Sequence, residues 1–392
     1  MRTAFVTGAT GAVGINLLHE LVETREFERI YCLVRRRATQ SGQSRLEDHA
    51  RAHGFELSPA VVAVHGDVRQ PRLGLCGDDD ARLVREVTHV FHAAADVRFN
   101  QALAAIRRVN VDGTRAVLDL CTRARAANPA FCHLVYIGTA YVAEQRARVA
   151  QEQALAPREV FRNSYEQSKF EAEQLVRARR DAVPSIIFRP SIIWSLDGDG
   201  RMPAKSAVYP ALKMYMRWPL PAIPVHRTTL DIVPADFVAR AIARLGMQPE
   251  HVGRCFHLAA GAEGDLPLRR FYGLLDEALR EVGLHKRIRK LPPWAWKLYF
   301  PLLRLTFLRK MRSGAAWGAY FPYVQTRNPR FEVEGARAAL ARHAIEVPRS
   351  EAVVERSLVR ILEGILATMP RLLDPQASTA AAPAASAELR GA

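Results

Sequence analysis

The chain has 392 residues, is 49% hydrophobic and carries a formal charge of +16. That apolar content can bury a large core, which excludes a disordered chain and predicts a globular α/β protein with one big domain and a smaller one. No apolar run is long enough for a membrane-spanning helix.

The first predicted strand, Ala4-Phe5-Val6, runs into Thr7-Gly8-Ala9-Thr10-Gly11-Ala12-Val13-Gly14, and an apolar-periodic helix opens at Ile15, Leu17, Leu18 and Leu21. A strand, a glycine turn and a helix in this order suit a pyrophosphate: the turn is tight, the backbone comes close, and the first helical amides face the phosphates. Because this strand starts almost at Met1, no secretory signal is expected. A cytoplasmic location follows, with membrane association left open.

The second predicted strand, Ile30 to Val34, ends in Leu33-Val34-Arg35-Arg36-Arg37. An acidic residue there would hold the ribose 2′-hydroxyl of NAD, whereas an arginine accommodates the 2′-phosphate of NADP. NADP is therefore expected, with Arg35 as the contact and Arg36 or Arg45 next; a plain arginine cap on the strand is the alternative. His49 and His53 share helical spacing but lack a third ligand, so a solvated helix face and no metal site are expected.

Further strands are predicted at Val61 to Val64, Val87 to His92, Cys132 to Ile137 and Ser185 to Phe188, with helical patterns between several of them, which implies a parallel, doubly wound sheet. Beyond Arg189-Pro190 a proline-rich region (Pro203, Pro210, Pro219, Pro221, Pro224) leads to Asp231-Ile232-Val233-Pro234 and a helix from Ala235. Such a segment is expected to fold over the carboxyl ends of the strands. The expected division is a nucleotide-binding Rossmann domain over 1–195, to which 228–262 returns, and a smaller, mostly helical substrate domain over 196–227 and 263–373. An Ala, Ser, Thr and Pro tail over 374–392 is expected to be disordered. The cysteines, Cys32, Cys76, Cys121, Cys132 and Cys255, stand singly and are expected to be reduced, buried and inert.

The positive charge concentrates in 286–312, which holds Lys286, Arg287, Arg289, Lys290, Lys297, Arg304, Arg309, Lys310 and Arg312 among aromatic and leucine residues, with no acidic residue. This suits a peripheral membrane surface or an anionic, lipid-like ligand. Core helices with snorkelling basic ends suit it as well. Nucleic acid is not an expected partner, since no recognition motif accompanies the charge.

The chemistry is expected at Thr139, Tyr165 and Lys169, with Asn110 in support. Four-residue spacing puts Tyr165 and Lys169 on one helix face, where an ammonium favours the phenolate and makes the tyrosine a tuned acid or base. Thr139 lies just past a predicted strand, at the carboxyl edge where α/β sheets place ligands, and can hydrogen-bond a carbonyl oxygen.

Together these residues resemble an extended short-chain dehydrogenase/reductase. The superfamily marks are Thr7 to Gly14, His92-Ala93-Ala94-Ala95, Asn110-Val111-Asp112-Gly113-Thr114, Tyr165 to Lys169 and Arg189-Pro190-Ser191. Leu33-Val34-Arg35, Gly66-Asp67-Val68, Pro71 to Leu75, Thr139-Ala140-Tyr141-Val142 and Asp231 to Val238 resemble the fatty acyl reductase and thioester reductase branch, fading after Leu258. One departure is Gly138, where the branch usually carries a serine.

The resemblance implies NADP held by Thr7, Gly8, Thr10, Gly11, Ala12, Val13, Gly14, Arg35, Arg45, Asp67, Val68, His92, Ala93, Ala94, Lys169, Pro190, Ser191 and Ile192. It implies reduction of a fatty acyl-CoA or carrier-protein thioester to an aldehyde or alcohol by Thr139, Tyr165 and Lys169. The alternatives are a dehydrogenase or epimerase acting on a sterol-like, flavonoid-like or nucleotide-sugar substrate, and a non-enzymatic NADP-binding protein at a membrane surface.

Overall fold

β1 (Thr3–Thr7) is buried at every position, because a strand covered by helices on both faces is a continuous apolar run. In the computed structural model, residues 2–143, 148–152, 155, 158–194, 208–217, 223–224, 227–284, 290–292, 294–295, 298, 323 and 326–369 are described. β2 (Arg29–Val34), β3 (Val61–His65), β4 (His89–His92), β5 (His133–Ile137), β6 (Ser185–Pro190) and β7 (Cys255–Leu258) join β1 in one sheet. Its order is β7-β6-β5-β4-β1-β2-β3 and every pairing is parallel. The doubly wound α/β sheet expected from the sequence is what forms. Strand order reverses between β1 and β4, so the loops leaving their carboxyl ends diverge and open a crevice there.

The helices are α1 (Ala12–Glu23), α2 (Gly42–Ala52), α3 (Gly77–Glu86), α4 (Leu103–Asn110), α5 (Asp112–Ala127), α6 (Ser164–Ala178), α7 (Val208–Arg217) and α8 (Ala235–Leu245), followed by α9 (Leu268–Glu281), α10 (Glu334–Ala341) and α11 (Ser350–Ala367). Ile15, Leu17, Leu18 and Leu21 of α1 pack with Phe237, Val238 and Ile242 of α8 against one face of the sheet. Truncating a fully buried leucine such as Leu18 to alanine costs about 2–5 kcal/mol. Leu83, Val117, Leu120 and Ala172 from α3, α5 and α6 cover the other face. A separate cluster joins α7, α9 and α11 through Leu212, Leu275, Leu358 and Ile361, and Trp194 ties into it by donating from Nε1 to Ser357 Oγ at 2.9 Å.

Two sequence expectations change. Val87 and Thr88 precede β4 rather than belonging to it, because Val87 closes α3 as its C-cap. The cysteines are free, but Cys76 and Cys132 are exposed and Cys255 is half-buried, leaving only Cys32 and Cys121 buried. Cys76 caps α3 and Cys132 leads into β5, positions where the chain arrives from the surface.

Of the proline-rich region, Pro210 lies in α7, and Ile223–Pro224 pairs with Lys290–Leu291; Pro203, Pro219 and Pro221 lie outside the described residues. In the cationic stretch, Trp294 and Leu298 are 69% and 70% exposed. Most of 286–312, including Arg304, Arg309, Lys310 and Arg312, lies outside the described residues, as does all of 374–392. No described helix is long and apolar enough to cross a membrane.

Candidate active site

The turn after β1 is built so closely that side chains are excluded from it. Gly8 has φ +76°, and a Cβ there would lie 2.5 Å from the backbone nitrogen of Ala94. A Cβ on Gly14 would run into the Gly8 carbonyl, so both positions need glycine. Gly11 N donates to Gly8 O at 2.8 Å and Gly11 is the N-cap of α1, with no side-chain cap. The amides of Ala12 and Val13 therefore open the helix toward the crevice, as an anion site requires.

Across the crevice, β4 ends in a hydrogen-bond chain with one self-consistent direction. Thr114 Oγ1 donates to Asn110 O at 2.7 Å, which leaves it to accept from His92 Nε2 at 3.0 Å. His92 Nδ1 then accepts from Thr7 Oγ1 at 2.7 Å, and Thr7 in turn accepts from Ala94 N at 3.4 Å. This assigns the Nε2–H tautomer. Burial and then the nearby Lys169 charge push the imidazole down to about 3, so it is neutral.

At the end of β2, Arg35, Arg36, Arg37, Arg45, Asp67 and Arg69 line a cleft of about 680 Å³. Arg45, reaching in from α2, is 4% exposed. It donates from Nη1 to Arg35 O at 3.1 Å and from Nη2 to Thr10 Oγ1 at 3.3 Å, while its Nε is buried without a partner. Asp67, whose amide donates to Leu73 O at 2.7 Å, pairs with Arg69 at 2.6 Å. Val68 lies under Gly113 of α5. Arg69 was not anticipated from the sequence, although its place two residues after Asp67 was the available signal. His53 Nδ1 contacts His49 O at 2.8 Å at the end of α2.

Thr139, Tyr165 and Lys169 converge at the carboxyl ends of β5 and β6. Thr139 is 5% exposed; it donates to Pro190 O and accepts from Tyr141 N, both at 3.4 Å. The side chain of Tyr165 keeps some exposure, yet its hydroxyl is enclosed. Burial pushes the phenol up to about 12, opposed by its hydrogen bond with Thr139. The lysine was expected to hold the phenol down, but Lys169 Nζ instead donates to Ile137 O at 2.6 Å and lies 4.6 Å from the Tyr136 ring centroid. Burial pushes that ammonium down to about 7, with Glu173 opposing.

Asn110, at the end of α4, is buried. Its Oδ1 accepts from Asp96 N at 2.7 Å, and its Nδ2 donates to Asp96 O at 3.0 Å and Ser168 Oγ at 2.9 Å, which ties the loop after β4 to α6. Glu173 and Arg189, both wholly buried, pair at 2.5 Å and bind α6 to β6. Such a pair is costly to break from one side. Ser191 N donates to Leu258 O at 3.0 Å, and Ile192 N to Asp231 O at 3.1 Å, which continues this edge of the site.

Among known proteins, a family model described as male sterility protein matches residues 6–242. A linear gramicidin synthase of Brevibacillus parabrevis is 30% identical over 274 residues, covering 66% of this chain and 5% of that protein. A putative fatty acyl-CoA reductase of Drosophila melanogaster is 27% identical over 361 residues, covering 78% of this chain and 66% of its own length. The solved terminal R domain of the myxalamid PKS-NRPS biosynthetic pathway superposes with a TM-score of 0.75 at 27% identity, covering 93% of this chain and 91% of that one. The chain spans 5% to 28% of the length of the first three curated relatives it matches.

Proposed function

Because the chain belongs to the male sterility protein family and has the extended short-chain dehydrogenase/reductase fold, we propose that it is an NADPH-dependent reductase of acyl thioesters carried on a carrier protein or coenzyme A. The observation that carries this reading is the convergence of Thr139, Tyr165 and Lys169 beside the glycine turn. The donor set fits a dinucleotide: Gly8 and Gly14 let the backbone pack tightly on itself ahead of α1, and the uncapped N-terminus of that helix suits a pyrophosphate. The buried Arg45, with an unsatisfied Nε and no carboxylate in contact among the described residues, fits the 2′-phosphate beside Arg35. Asp67 and Val68 are proposed at the adenine, Ala93 and Ala94 along the dinucleotide, and Pro190, Ser191 and Ile192 at the nicotinamide end.

Bound in this crevice, NADPH supplies the hydride that the substrate's carbonyl carbon accepts. The hydroxyls of Thr139 and Tyr165 hold the carbonyl oxygen and stabilise the negative charge that develops on it. Tyr165, whose phenol remains protonated at neutral pH, delivers a proton to that oxygen. Lys169, poised near 7, orients the ribose and returns a proton toward the tyrosine. With a thioester, the reduced carbon carries oxygen and sulfur, and its collapse expels the thiol and leaves an aldehyde. A second round gives an alcohol. The names of the gramicidin synthase, R-domain and acyl-CoA reductase relatives support the thioester over other carbonyls.

The test is oxidation of NADPH and of NADH measured against acyl-CoAs, acyl carrier proteins, aldehydes, ketosteroids and nucleotide sugars, with released thiol assayed in parallel. Thioester-dependent oxidation with stoichiometric thiol is the expected result. Turnover confined to ketosteroids or nucleotide sugars overturns the thioester reading.

A further inference from the structure

The first turn of α6, which carries Tyr165, is gripped by a residue from far along the chain. Tyr323, 9% exposed, donates its hydroxyl to Glu166 Oε1 at 2.8 Å and accepts from Asn163 Nδ2 at 3.0 Å. Asn163 is the N-cap of α6, and its Oδ1 accepts from Glu166 N at 2.9 Å. Hydroxyl, cap and carboxylate thus close a ring around the turn in which Tyr165 sits.

A second connection runs through the rings. Tyr323 stacks on Phe99 with centroids 5.5 Å apart and 24° between planes, and Phe99 lies 5.4 Å from the Tyr165 ring at 34°. Glu166 is fully buried, and Arg158 at 3.3 Å and Arg162 at 3.7 Å supply the charge it needs there. The Arg162 guanidinium also lies 4.8 Å from the Tyr323 ring centroid. These side chains surround the turn that carries the phenol, so they constrain where the phenol can sit.

We infer that Tyr323 is a positioning residue for Tyr165, held to it through the Asn163 and Glu166 ring and through Phe99, so that the set of the phenol depends on residue 323 being seated against α6. The inference rests on the reading of Tyr165 as proton donor. A displacement of about 1 Å at such a group costs on the order of a hundredfold in rate, whereas binding of cofactor and substrate depends on other contacts.

The experiment compares the full chain with Tyr323→Phe, Glu166→Gln and the double variant, on whichever carbonyl compound the wild type reduces. Tyr323→Phe keeps the stack and deletes only the hydroxyl. It is expected to lower kcat about tenfold or more, with substrate KM and NADPH Kd unchanged and the unfolding temperature somewhat lowered, since a buried carboxylate loses one donor. The double variant is expected to fall no further than the worse single one, as members of one unit do. Asn163→Ser keeps a helix cap but removes the donor to Tyr323, and should reproduce the kcat loss if Tyr323→Phe folds poorly. Wild-type kcat in Tyr323→Phe or in Asn163→Ser, a rise in KM at constant kcat, or fully additive losses overturns the inference. A wild type that reduces ketones or aldehydes but no thioester defeats the thioester reading alone, because positioning is still measured on that carbonyl. A wild type inactive on every carbonyl overturns both.

Discussion

The guanidinium of Arg45 donates to the backbone carbonyl of Arg35 at 3.1 Å, so the loop that presents one arginine is held up by the other. Arg45 is the buried member and Arg35 the exposed one. Burial, followed by the charges of Arg37 and Arg35, works against the Arg45 cation, and an anion bound in the cleft would relieve that cost.

Replacing Arg45 by methionine should therefore lower kcat/KM for NADPH by about tenfold to a hundredfold, the worth of a charge-assisted hydrogen bond of about 1.5–3 kcal/mol. NADH should change little. Arg35→Ala should move the same ratio in the same direction. Cofactor titration of both variants checks this, and an unchanged ratio in both would put the phosphate contact elsewhere, with Arg36 and Arg69 next.

Tyr165→Phe removes the proton donor and leaves the nucleotide cradle intact. Turnover should fall a hundredfold or more, with NADPH Kd, read by nucleotide fluorescence, at its wild-type value. Near-native turnover would remove Tyr165 from the mechanism.

Lys169→Met should abolish turnover without lowering stability at neutral pH. The ammonium's pKa falls from 10.5 to about 7 on folding. Between those values the unfolded chain binds more protons, so this group makes stability rise with pH through that window and imposes its full cost below pH 7. Urea unfolding at pH 7 and pH 9 should show the wild type gaining stability relative to Lys169→Met. Parallel curves for the two proteins would mean that the lysine stays charged in the fold.

Gly138 and Gly8 should respond oppositely to an added side chain. A Cβ on Gly138 would lie 3.4 Å from Glu173 Oε2 and Phe188 O, an ordinary contact. Gly138→Ser should keep activity, and its stability should stay within about 1 kcal/mol of wild type. Gly8→Ala meets backbone at 2.5 Å with φ +76° and should lose NADPH binding. Calorimetry and cofactor titration of the two variants read the contrast directly.

Trp294 and Leu298, four positions apart and largely exposed, lie in a stretch without acidic residues. If this stretch meets a membrane, the protein should sediment with anionic vesicles at low salt. High salt should release it, since each basic side chain near the surface contributes about 1 kcal/mol and is screened. Trp294→Glu with Leu298→Glu should release it as well. A wild type that stays in the supernatant at low salt sinks the membrane reading.

Six strands of the sheet were legible because each is a short apolar run closed by a turn, whereas the edge strand β7, only four residues long and holding Cys255 and His257, was not; the glycine turn was legible because close backbone approach leaves only one residue type. Thr139, Tyr165 and Lys169 were legible for a similar reason: their spacing maps onto one strand end and one helix face. Depth was not legible. Nothing local distinguishes Arg45, buried, from Arg35, exposed, or Cys121 from Cys132, because burial depends on which element packs above. Nor was the link from Phe99 to Tyr323 visible, since it joins segments more than two hundred residues apart that meet beside α6. The direction of the Tyr165 shift was misjudged because four-residue spacing puts two side chains on one helix face without aiming one at the other: Lys169 donates to Ile137 O, and burial raises the phenol.

The chain from Ala94 N through Thr7, His92 and Thr114 to Asn110 O runs one way only, and its imidazole does not take up a proton above about pH 3. His92 is therefore a fixed bridging dipole that fastens two neighbouring strand ends, closer in behaviour to a backbone amide than to a histidine. Acidifying the medium to pH 5 would protonate an ordinary surface histidine and leave this one silent, so any acid sensitivity of cofactor binding originates in other groups.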